Sequence, residues 1–380
     1  MNHVKVLMNL LKSGLNVLEY ARHMISDFFL TNNKDGQGYV GLENLGNTCY
    51  CNGVVQALYF CAPFRNKLLQ YYVNGGSDNE NNNLLNCLAD LFHQLKSKKS
   101  SHISPTRFVE LVKEENAIFS GCETHQDAHE FLIFLLGNLD EDIKKWNNKQ
   151  NLSRHDEEAK GAICGIREIF GGTFTNETLC SCCETVTCRE EPFMDLSLEI
   201  QENSSLSNCL KAFSAVKKLS GENKYWCDKC CHFQEAEKRL RNKSPPNVLV
   251  CQLKRFKYTQ NRFKKLFYRV AFSMELRLAV NSHGDQDAAD PLYSLFAVVV
   301  HVGRTVNDGH YIALVKNSSG QWLKIDDEKV AKIEESEVQD CFGSSEAAAS
   351  NPDCKNLNAY VMFYQTVNDI EQVFGLVGES

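Results

Sequence analysis

The stretch Gly41-Leu-Glu-Asn-Leu-Gly-Asn-Thr-Cys-Tyr-Cys-Asn52, continued by GVVQALYFC to residue 61, decides how the first part of this chain folds. It predicts a Gly/Asn turn followed by a helix over residues 48–61, with Asn47 or Thr48 as its N-cap. Cys49 then stands at the helix start, where unpaired N–H groups and the positive helix end favour a thiolate. We expect the turn to leave Cys49 accessible.

The chain as a whole has an ordinary globular composition. Its 380 residues are 43% hydrophobic and 23% charged, which predicts one large or two modest domains. The formal net charge of −7 argues against nucleic-acid binding through a general basic field. The short basic segments at 253–256 and 262–265 carry too little charge to change that. We therefore expect no nucleic-acid partner.

The 17 cysteines are the unusual number in the composition. Charged residues interrupt the apolar positions of residues 1–30, and no uncharged apolar run reaches 18 residues, so neither a signal sequence nor a membrane span is predicted. These features predict a reducing compartment, the cytoplasm or also the nucleus, where cysteines serve as thiols, metal ligands or nucleophiles.

Periodicity divides the chain into a helical first half and a β-rich second half. Helices are predicted at 4–30, 84–96, 105–113 and 125–145, and polar loops at 74–83, 147–160 and 281–290. Strands are predicted at 193–200, 248–253, 270–278, 295–302, 311–316, 322–326 and 359–364. This order predicts an α+β enzyme with its cleft between the two halves.

Two C-x-x-C pairs at metal-ligand spacing lie in the β-rich half. Cys180 and Cys183 form one pair, and Cys227 and Cys230 the other. Four thiolates at this local spacing suit one tetrahedral zinc ion, and four cysteine ligands leave no open position, so the zinc would be structural. Either neighbouring cysteine, at 182 or 231, could replace a ligand.

A thiolate nucleophile needs a general base, and His310 is the best candidate because it follows Gly309 at a strand start. A three-residue hairpin loop ending at Gly320 places Asn317 opposite Gln321 and brings Asp326 diagonal to His310. A two- or four-residue loop would align Asp327 with His310 instead. Each residue alone has an ordinary structural explanation, but their combination indicates a catalytic group.

Five motifs together resemble one family, the ubiquitin-specific proteases, which are papain-like cysteine peptidases that remove ubiquitin. The motifs are GNTCYCNGVVQALYF (46–60), QDAHEF (126–131), VCQLKRFKY (250–258), GHYIALV (309–315) and WLKIDD (322–327). The resemblance covers about residues 40–365. It implies an α+β, papain-like hand-shaped fold with a helical thumb (about 41–170), zinc-binding β fingers (about 171–250) and a β-rich palm (about 251–370). Residues 1–40 would be a helical extension.

The resemblance also implies roles for particular residues. Cys49 would be the nucleophile, His310 the base and Asp326 the orienting acid. Asn44 matches the family's oxyanion-stabilising position, and Asp327 a supporting acidic position.

Along the channel for ubiquitin's C-terminal tail, the resemblance places three residues of the QDAHEF motif. They are Gln126, Asp127 and Glu130, and the carboxylates of Asp127 and Glu130 would pair with the arginines of the tail.

The activity implied is thiol-dependent hydrolysis of the isopeptide bond between ubiquitin's terminal glycine and lysines of target proteins. The segments at 57–65, 254–278 and 298–303 look most like the small subgroup that WD-repeat proteins activate. A catalytically weak or inactive ubiquitin-binding scaffold and a zinc-dependent interaction module are the alternatives, and the intact Cys49, His310, Asp326 and Asn44 argue against both.

Overall fold

The computed structural model describes residues 38–76, 82–97, 100–121, 125–152, 165–259, 262–279, 290–305, 309–344 and 356–367. The predicted helix at 4–30 lies outside the described residues, and so do all but three residues of the 1–40 extension. Most of the predicted loops at 74–83 and 281–290 also lies outside them. None of the described helices is long and apolar enough to cross a membrane.

Helices build the thumb, as the periodicity predicts. They are α1 (Cys49–Phe60), α2 (Ala62–Tyr71), α3 (Leu84–Ser97), α4 (Thr106–Glu115), α5 (Ala128–Leu152) and α6 (Ile166–Phe170). A π-helical turn covers Tyr72–Gly76, and a 3-10 turn covers Ala117–Ser120. The predicted helices at 48–61, 84–96, 105–113 and 125–145 are confirmed.

The end of α5 differs from expectation, because the polar run from 147 was predicted to be a loop and the helix continues to Leu152. Half-buried Trp146 packs against Tyr71 of α2 with ring centroids 4.9 Å apart. This contact anchors the helix at the point where its sequence becomes polar, so a tertiary contact overrides the local pattern.

A long, mainly antiparallel sheet forms the palm. Its strands are β5 (Leu196–Leu198), β11 (Val248–Leu253), β15 (Glu275–Arg277), β16 (Leu292–Gly303), β17 (Gly309–Lys316), β18 (Trp322–Asp326), β19 (Lys329–Ile333) and β20 (Leu357–Thr366). They lie in the order β19, β18, β17, β16, β20, β11 and β5, with β15 beside β16.

Both faces of the central strands are buried, which explains their near-continuous apolar runs. Along β16, Ala297 and Val299 face the core that contains the thumb helices, whereas Val298 and Val300 face a second core on the other side of the sheet. The helices α7 (Leu206–Phe213) and α8 (Glu335–Gln339) accompany this second core.

Two predicted strands are shorter and interrupted. The expected strand 193–200 is divided between β4 (Val186–Phe193) and β5, and the expected strand 270–278 between β14 (Val270–Ala271) and β15. The halves pair with different partners, because β14 lies beside β6 (Ser204–Ser205) while β15 joins β16. The chain must bend between them, which a single straight strand cannot do.

A separate four-stranded sheet forms the fingers. Besides β4 it contains β3 (Gly172–Cys180), β7 (Lys217–Leu219) and β10 (Ala236–Ser244), in the order β4, β3, β10 and β7. A small hairpin of β8 (Tyr225–Cys227) and β9 (His232–Gln234) belongs to the same region. Other short strands are β1 (Gly41–Leu42) paired with β2 (His102–Ile103), and β12 (Phe256–Thr259) paired with β13 (Arg262–Lys265). The α+β hand-shaped fold is confirmed.

Arg255 connects several segments at the back of the palm. It is fully buried, and its Nε donates to Ala359 O at 2.7 Å. Its Nη1 donates to the carbonyls of Leu266 and Tyr268 at 3.2 and 2.9 Å, and its Nη2 donates to Phe342 O at 3.3 Å. Burial lowers the pKa of Arg255 to about 10, which still leaves it charged at neutral pH.

Replacing this guanidinium should destabilise the fold, because Arg255→Met leaves buried carbonyls without donors. A buried polar group that loses its partner costs about 1–3 kcal/mol, so we expect the free energy of unfolding to fall by at least about 2 kcal/mol in a denaturant titration. The matched control is Lys254→Met. That lysine pairs with Glu199 at 3.0 Å, but both side chains are largely exposed, so its loss should cost less than about 1 kcal/mol. Equal unfolding midpoints for the two variants would contradict the role of Arg255.

Candidate active site

The turn before Cys49 is organised by the side chain of Asn44. Its Oδ1 accepts hydrogen bonds from the backbone N–H groups of Gly46 and Thr48, at 3.1 and 3.2 Å. Gly46 and Asn47 both have positive φ, +88° and +55°, a conformation that glycine and asparagine adopt most readily. The Gly/Asn turn therefore follows from the residue types, as expected from the sequence.

Cys49 begins α1, but it is buried and only 1% exposed, so the expectation that the turn leaves it accessible was wrong. The physical reason is the packing of α1, which lies against β16, β17 and α5 and buries all but one of its twelve residues. The first residue of the helix therefore faces the sheet. Its thiol meets His310 of β17.

The hairpin of β17 and β18 has the register expected from the sequence. Asn317 and Gln321 are joined by a backbone hydrogen bond of 3.0 Å, Gly320 has a φ of +81°, and Ala313 pairs with Ile325. This register brings His310 Nε2 to 2.7 Å from Asp326 Oδ1. Because Nε2 faces the carboxylate, Nδ1 is the ring nitrogen left for Cys49.

The neighbours of His310 favour its charged form. The hydrogen bond with Asp326 is the largest cause, followed by the contact with Cys49, and together they raise the pKa of His310 to about 10 despite partial burial. The same hydrogen bond lowers the pKa of Asp326. The raised pKa makes the imidazole a strong proton acceptor beside the Cys49 thiol.

Asp327 occupies a different place from Asp326. It closes the turn between β18 and β19 with a φ of +52°, is 9% exposed, and accepts from Asn44 Nδ2 and Asn52 Nδ2, each at 2.8 Å. Its Oδ2 is 3.9 Å from His310 Nε2, so the direct hydrogen bond to the imidazole belongs to Asp326. Asp327 thus joins the segment before Cys49 to the hairpin that carries His310.

The QDAHEF residues lie just before and in the first turn of α5, where Asp127 acts as its cap. Asp127 Oδ1 accepts from the N–H groups of His129 and Glu130 at 2.7 and 3.0 Å, while its Oδ2 accepts from the hydroxyl of Tyr360 on β20. Both carboxylate oxygens are therefore already hydrogen-bonded. Gln126 is half-buried, and Glu130 is exposed.

At the tip of the fingers the structure assembles the two C-x-x-C pairs, although 43 residues separate Cys183 from the start of the second pair in Cys227. The Sγ atoms of Cys183 and Cys227 are 3.5 Å apart, those of Cys180 and Cys230 are 4.0 Å apart, and all four lie within 4.8 Å of one another. The antiparallel pairing of β3 with β10 brings them together, because Cys180 lies opposite Ala236. These four residues could hold a metal ion.

The neighbouring cysteines do not join this cluster. Cys182 and Cys231 are both exposed, and Cys231 Sγ contacts the carbonyl of Asp228 at 3.3 Å. The four cysteines that the structure groups together are the ones that the spacing favours.

Several residues around the site were not identified from the sequence. Asn52, which donates to Asp327, lies one helical turn after Cys49, and that spacing is a signal that could have found it. His301 interrupts the apolar run VVVHVG, which is also a visible signal. Tyr360 and Gln252, joined at 2.9 Å, have no local signal, because their neighbouring strands β20 and β11 are far apart in the sequence.

Comparison with known proteins gives the same family. The family model described as ubiquitin carboxyl-terminal hydrolase matches residues 40–364. Ubiquitin carboxyl-terminal hydrolase 4 of Arabidopsis thaliana is 48% identical over 358 residues, covering 88% of this chain and 94% of that protein. Ubiquitin carboxyl-terminal hydrolase 12 of Salmo salar is 41% identical over 369 residues, covering 93% of this chain and 95% of that protein.

Among solved structures, a chain of the SAGA Ubp8/Sgf11/Sus1/Sgf73 DUB module bound to ubiquitin aldehyde matches with a TM-score of 0.69 and 26% identity. The match covers 87% of this chain and 70% of that chain. The protein belongs to the ubiquitin carboxyl-terminal hydrolase family of cysteine-type deubiquitinases. This confirms the family that the five motifs indicated.

The origin of the high pKa of His310 can be tested directly. Asp326→Asn removes its largest cause, so the pKa of His310 should fall from about 10 towards the ordinary value of about 6.5, as followed by the NMR shifts of the ring during a pH titration. Asp340→Asn, which changes an exposed carboxylate beyond α8, is the control and should leave the titration unchanged. An unshifted titration in Asp326→Asn would mean that the hydrogen bond with Asp326 does not raise the pKa of His310.

Proposed function

We propose that the protein hydrolyses the isopeptide bond between the C-terminal glycine of ubiquitin and lysines of target proteins, through an acyl-enzyme on Cys49. The observation that carries this proposal is the convergence of Cys49, His310 and Asp326 from three separate segments onto one point. The ubiquitin aldehyde bound in the matched DUB module supports ubiquitin as the substrate class.

In the proposed reaction the protons move between Cys49, His310 and the substrate. The Cys49 thiol transfers its proton to His310, and the thiolate sulfur attacks the carbonyl carbon of the terminal glycine. The C–N bond then breaks while His310 gives that proton to the leaving lysine amine, which leaves a thioester on Cys49. A water molecule, deprotonated by His310, attacks the thioester and releases the ubiquitin carboxylate, and Cys49 takes the proton back. Asp326 keeps the imidazole oriented and stabilises its charge throughout.

Asn44 is proposed to stabilise the oxyanion of each tetrahedral intermediate. Its Nδ2 carries two protons, of which one is donated to Asp327, so a second proton is left for the oxyanion. Asp327 thereby fixes the direction of the amide, which is its supporting role. A positioned donor of this kind is worth about 10²–10³ in kcat in another protease.

For the tail of ubiquitin we propose the QDAHEF residues as the binding site. Glu130 is the exposed carboxylate of the three and is the best placed to pair with an arginine of the tail. Asp127 contributes by capping α5 and by contacting Tyr360, and Gln126 lies beside it.

A single structural zinc ion is proposed at the tip of the fingers. With Zn–S bonds of about 2.3 Å, a tetrahedral ion places its sulfurs about 3.8 Å apart, close to the observed separations of 3.5 and 4.0 Å. Cys180, Cys183, Cys227 and Cys230 would hold the ion, which when bound fixes the turns after β3 and β8 and takes no part in catalysis.

Zinc content tests this assignment. Purified wild-type protein should contain one zinc per chain by inductively coupled plasma mass spectrometry, and Cys180→Ser or Cys227→Ser should lose it, because three thiolates hold the ion much less tightly. Cys182→Ser and Cys231→Ser are the matched controls and should keep it. Zinc loss in a control variant, or its absence from the wild type, would overturn the ligand set.

Activation by WD-repeat partners, in the cytoplasm or nucleus, is also part of the proposal. The resemblance of residues 57–65, 254–278 and 298–303 to the WD-repeat-activated subgroup supports the partners. The two C-x-x-C pairs and the Cys49 nucleophile need reduced cysteines, which supports a reducing compartment.

The decisive experiment uses ubiquitin that carries an electrophilic C-terminus. Wild-type protein should gain the mass of one ubiquitin, with or without an added WD-repeat protein, and Cys49→Ala should not. Cys51→Ala is the matched control: Cys51 is equally buried on the same helix, burial raises its pKa far above the ordinary range, and its loss should leave labelling intact. No adduct with wild-type protein, even with the partner present, would favour the non-catalytic ubiquitin-binding scaffold instead.

A further inference from the structure

Lys265 is a buried lysine that the reaction above does not use. It ends β13, is 3% exposed, and forms no ion pair with a carboxylate among the described residues. Its Nζ lies 2.7 Å from His301 Nδ1 and 2.7 Å from Gly303 O, with His301 O and Asn356 O at 3.3 and 3.5 Å. Burial and then the nearby Arg255 lower the pKa of Lys265 to about 7, so its hydrogen bonds to these atoms must offset the cost of burying the amine.

The atoms that Lys265 contacts lie at the start of the strand that carries His310. In the ladder between β16 and β17, Gly303 pairs with Gly309, and Val302 pairs with His310. Asn356 immediately precedes β20, on the other side of β16. The Lys265 side chain therefore connects the hairpin of β12 and β13 to the ends of two palm strands, beside the segment that leads into His310.

His301 extends this contact to the backbone next to His310. Burial and the neighbouring Lys265 lower the pKa of His301 strongly, so the ring is neutral, and its Nδ1 lies against the Lys265 amine. A Cβ at Gly309 would lie 2.2 Å from His301 Nε2. Phe256 and Tyr311 hold the ring from its other sides, with centroids 5.2 and 4.9 Å away. The ring therefore sets where the Gly309 backbone can lie.

We propose that Lys265 is a positioning residue for His310. Its amine, acting through the Gly303 carbonyl and the His301 ring, fixes the backbone at Gly309 and so places the imidazole between Cys49 and Asp326. The expected effect of Lys265 on kcat rests on the proposed function, whereas its expected effect on the position of His310 rests on the geometry alone.

The kinetic test compares Lys265→Met with Lys257→Met, using a fluorogenic amide of ubiquitin as substrate. Lys257 lies on the partner strand of the same hairpin and is exposed. Lys265→Met should lower kcat about ten-fold or more and leave KM within two-fold, since the substrate surface is untouched. Lys257→Met should match the wild type. A kcat within two-fold of the wild type for a folded Lys265→Met, checked by thermal unfolding, would overturn the proposal.

A second test does not require that Lys265→Met folds. Gly309→Ala should lower kcat because its methyl group meets the His301 ring, and the same substitution should cost much less in a His301→Ala background, where the ring is gone. Equal losses in the two backgrounds would overturn the link through His301.

Failure of the proposed function can be told apart from failure of this inference. If the wild type did not hydrolyse the ubiquitin substrate, the NMR shifts of the His310 ring during a pH titration would still report whether the imidazole sits against Asp326. Lys265→Met should lower the pKa of His310 from about 10 towards the ordinary value of about 6.5, because a displaced ring loses the hydrogen bond that is the largest cause of the raised value. An unchanged titration would contradict the positioning role.

Discussion

The packing of α1 against β17 is the contact on which the rest of the structure depends. It buries Cys49 at the start of the helix and presents the thiol to His310, although 261 positions separate the two residues in the chain. It also explains why the nucleophile is not exposed at the surface of the free protein. A thiol buried beside the imidazole is shielded from bulk solvent.

Asp326 and Asp327 are adjacent in the chain but contact different parts of the site. Asp326 is the last residue of β18 and points to His310, whereas Asp327 adopts a positive φ and points to the amides of Asn44 and Asn52. One acid therefore acts on the base, and the other on the segment that carries the nucleophile. Because both come from the same turn, a displacement of this turn would disturb both sides of the cleft together.

Local patterns predicted much of this arrangement. Helical and strand periodicity located most elements, and the three-residue loop ending at Gly320 gave the hairpin register that joins His310 to Asp326. The errors arose where a distant contact overrides a local pattern. The polar end of α5 stays helical because Trp146 packs on Tyr71, and the predicted strand at 270–278 divides because its halves pair with different strands.

By itself, the sequence determined the residue types and their local geometry: the turn before Cys49, the two C-x-x-C pairs, and the hairpin carrying His310. These follow from interactions within a few residues of the chain. Only the tertiary structure decided that Cys49 is buried, that Asp327 accepts a hydrogen bond from Asn44, and that the Lys265 amine contacts Gly303 and His301. Such contacts join residues far apart in sequence, and their energy depends on burial and on hydrogen-bond direction, which local patterns do not encode.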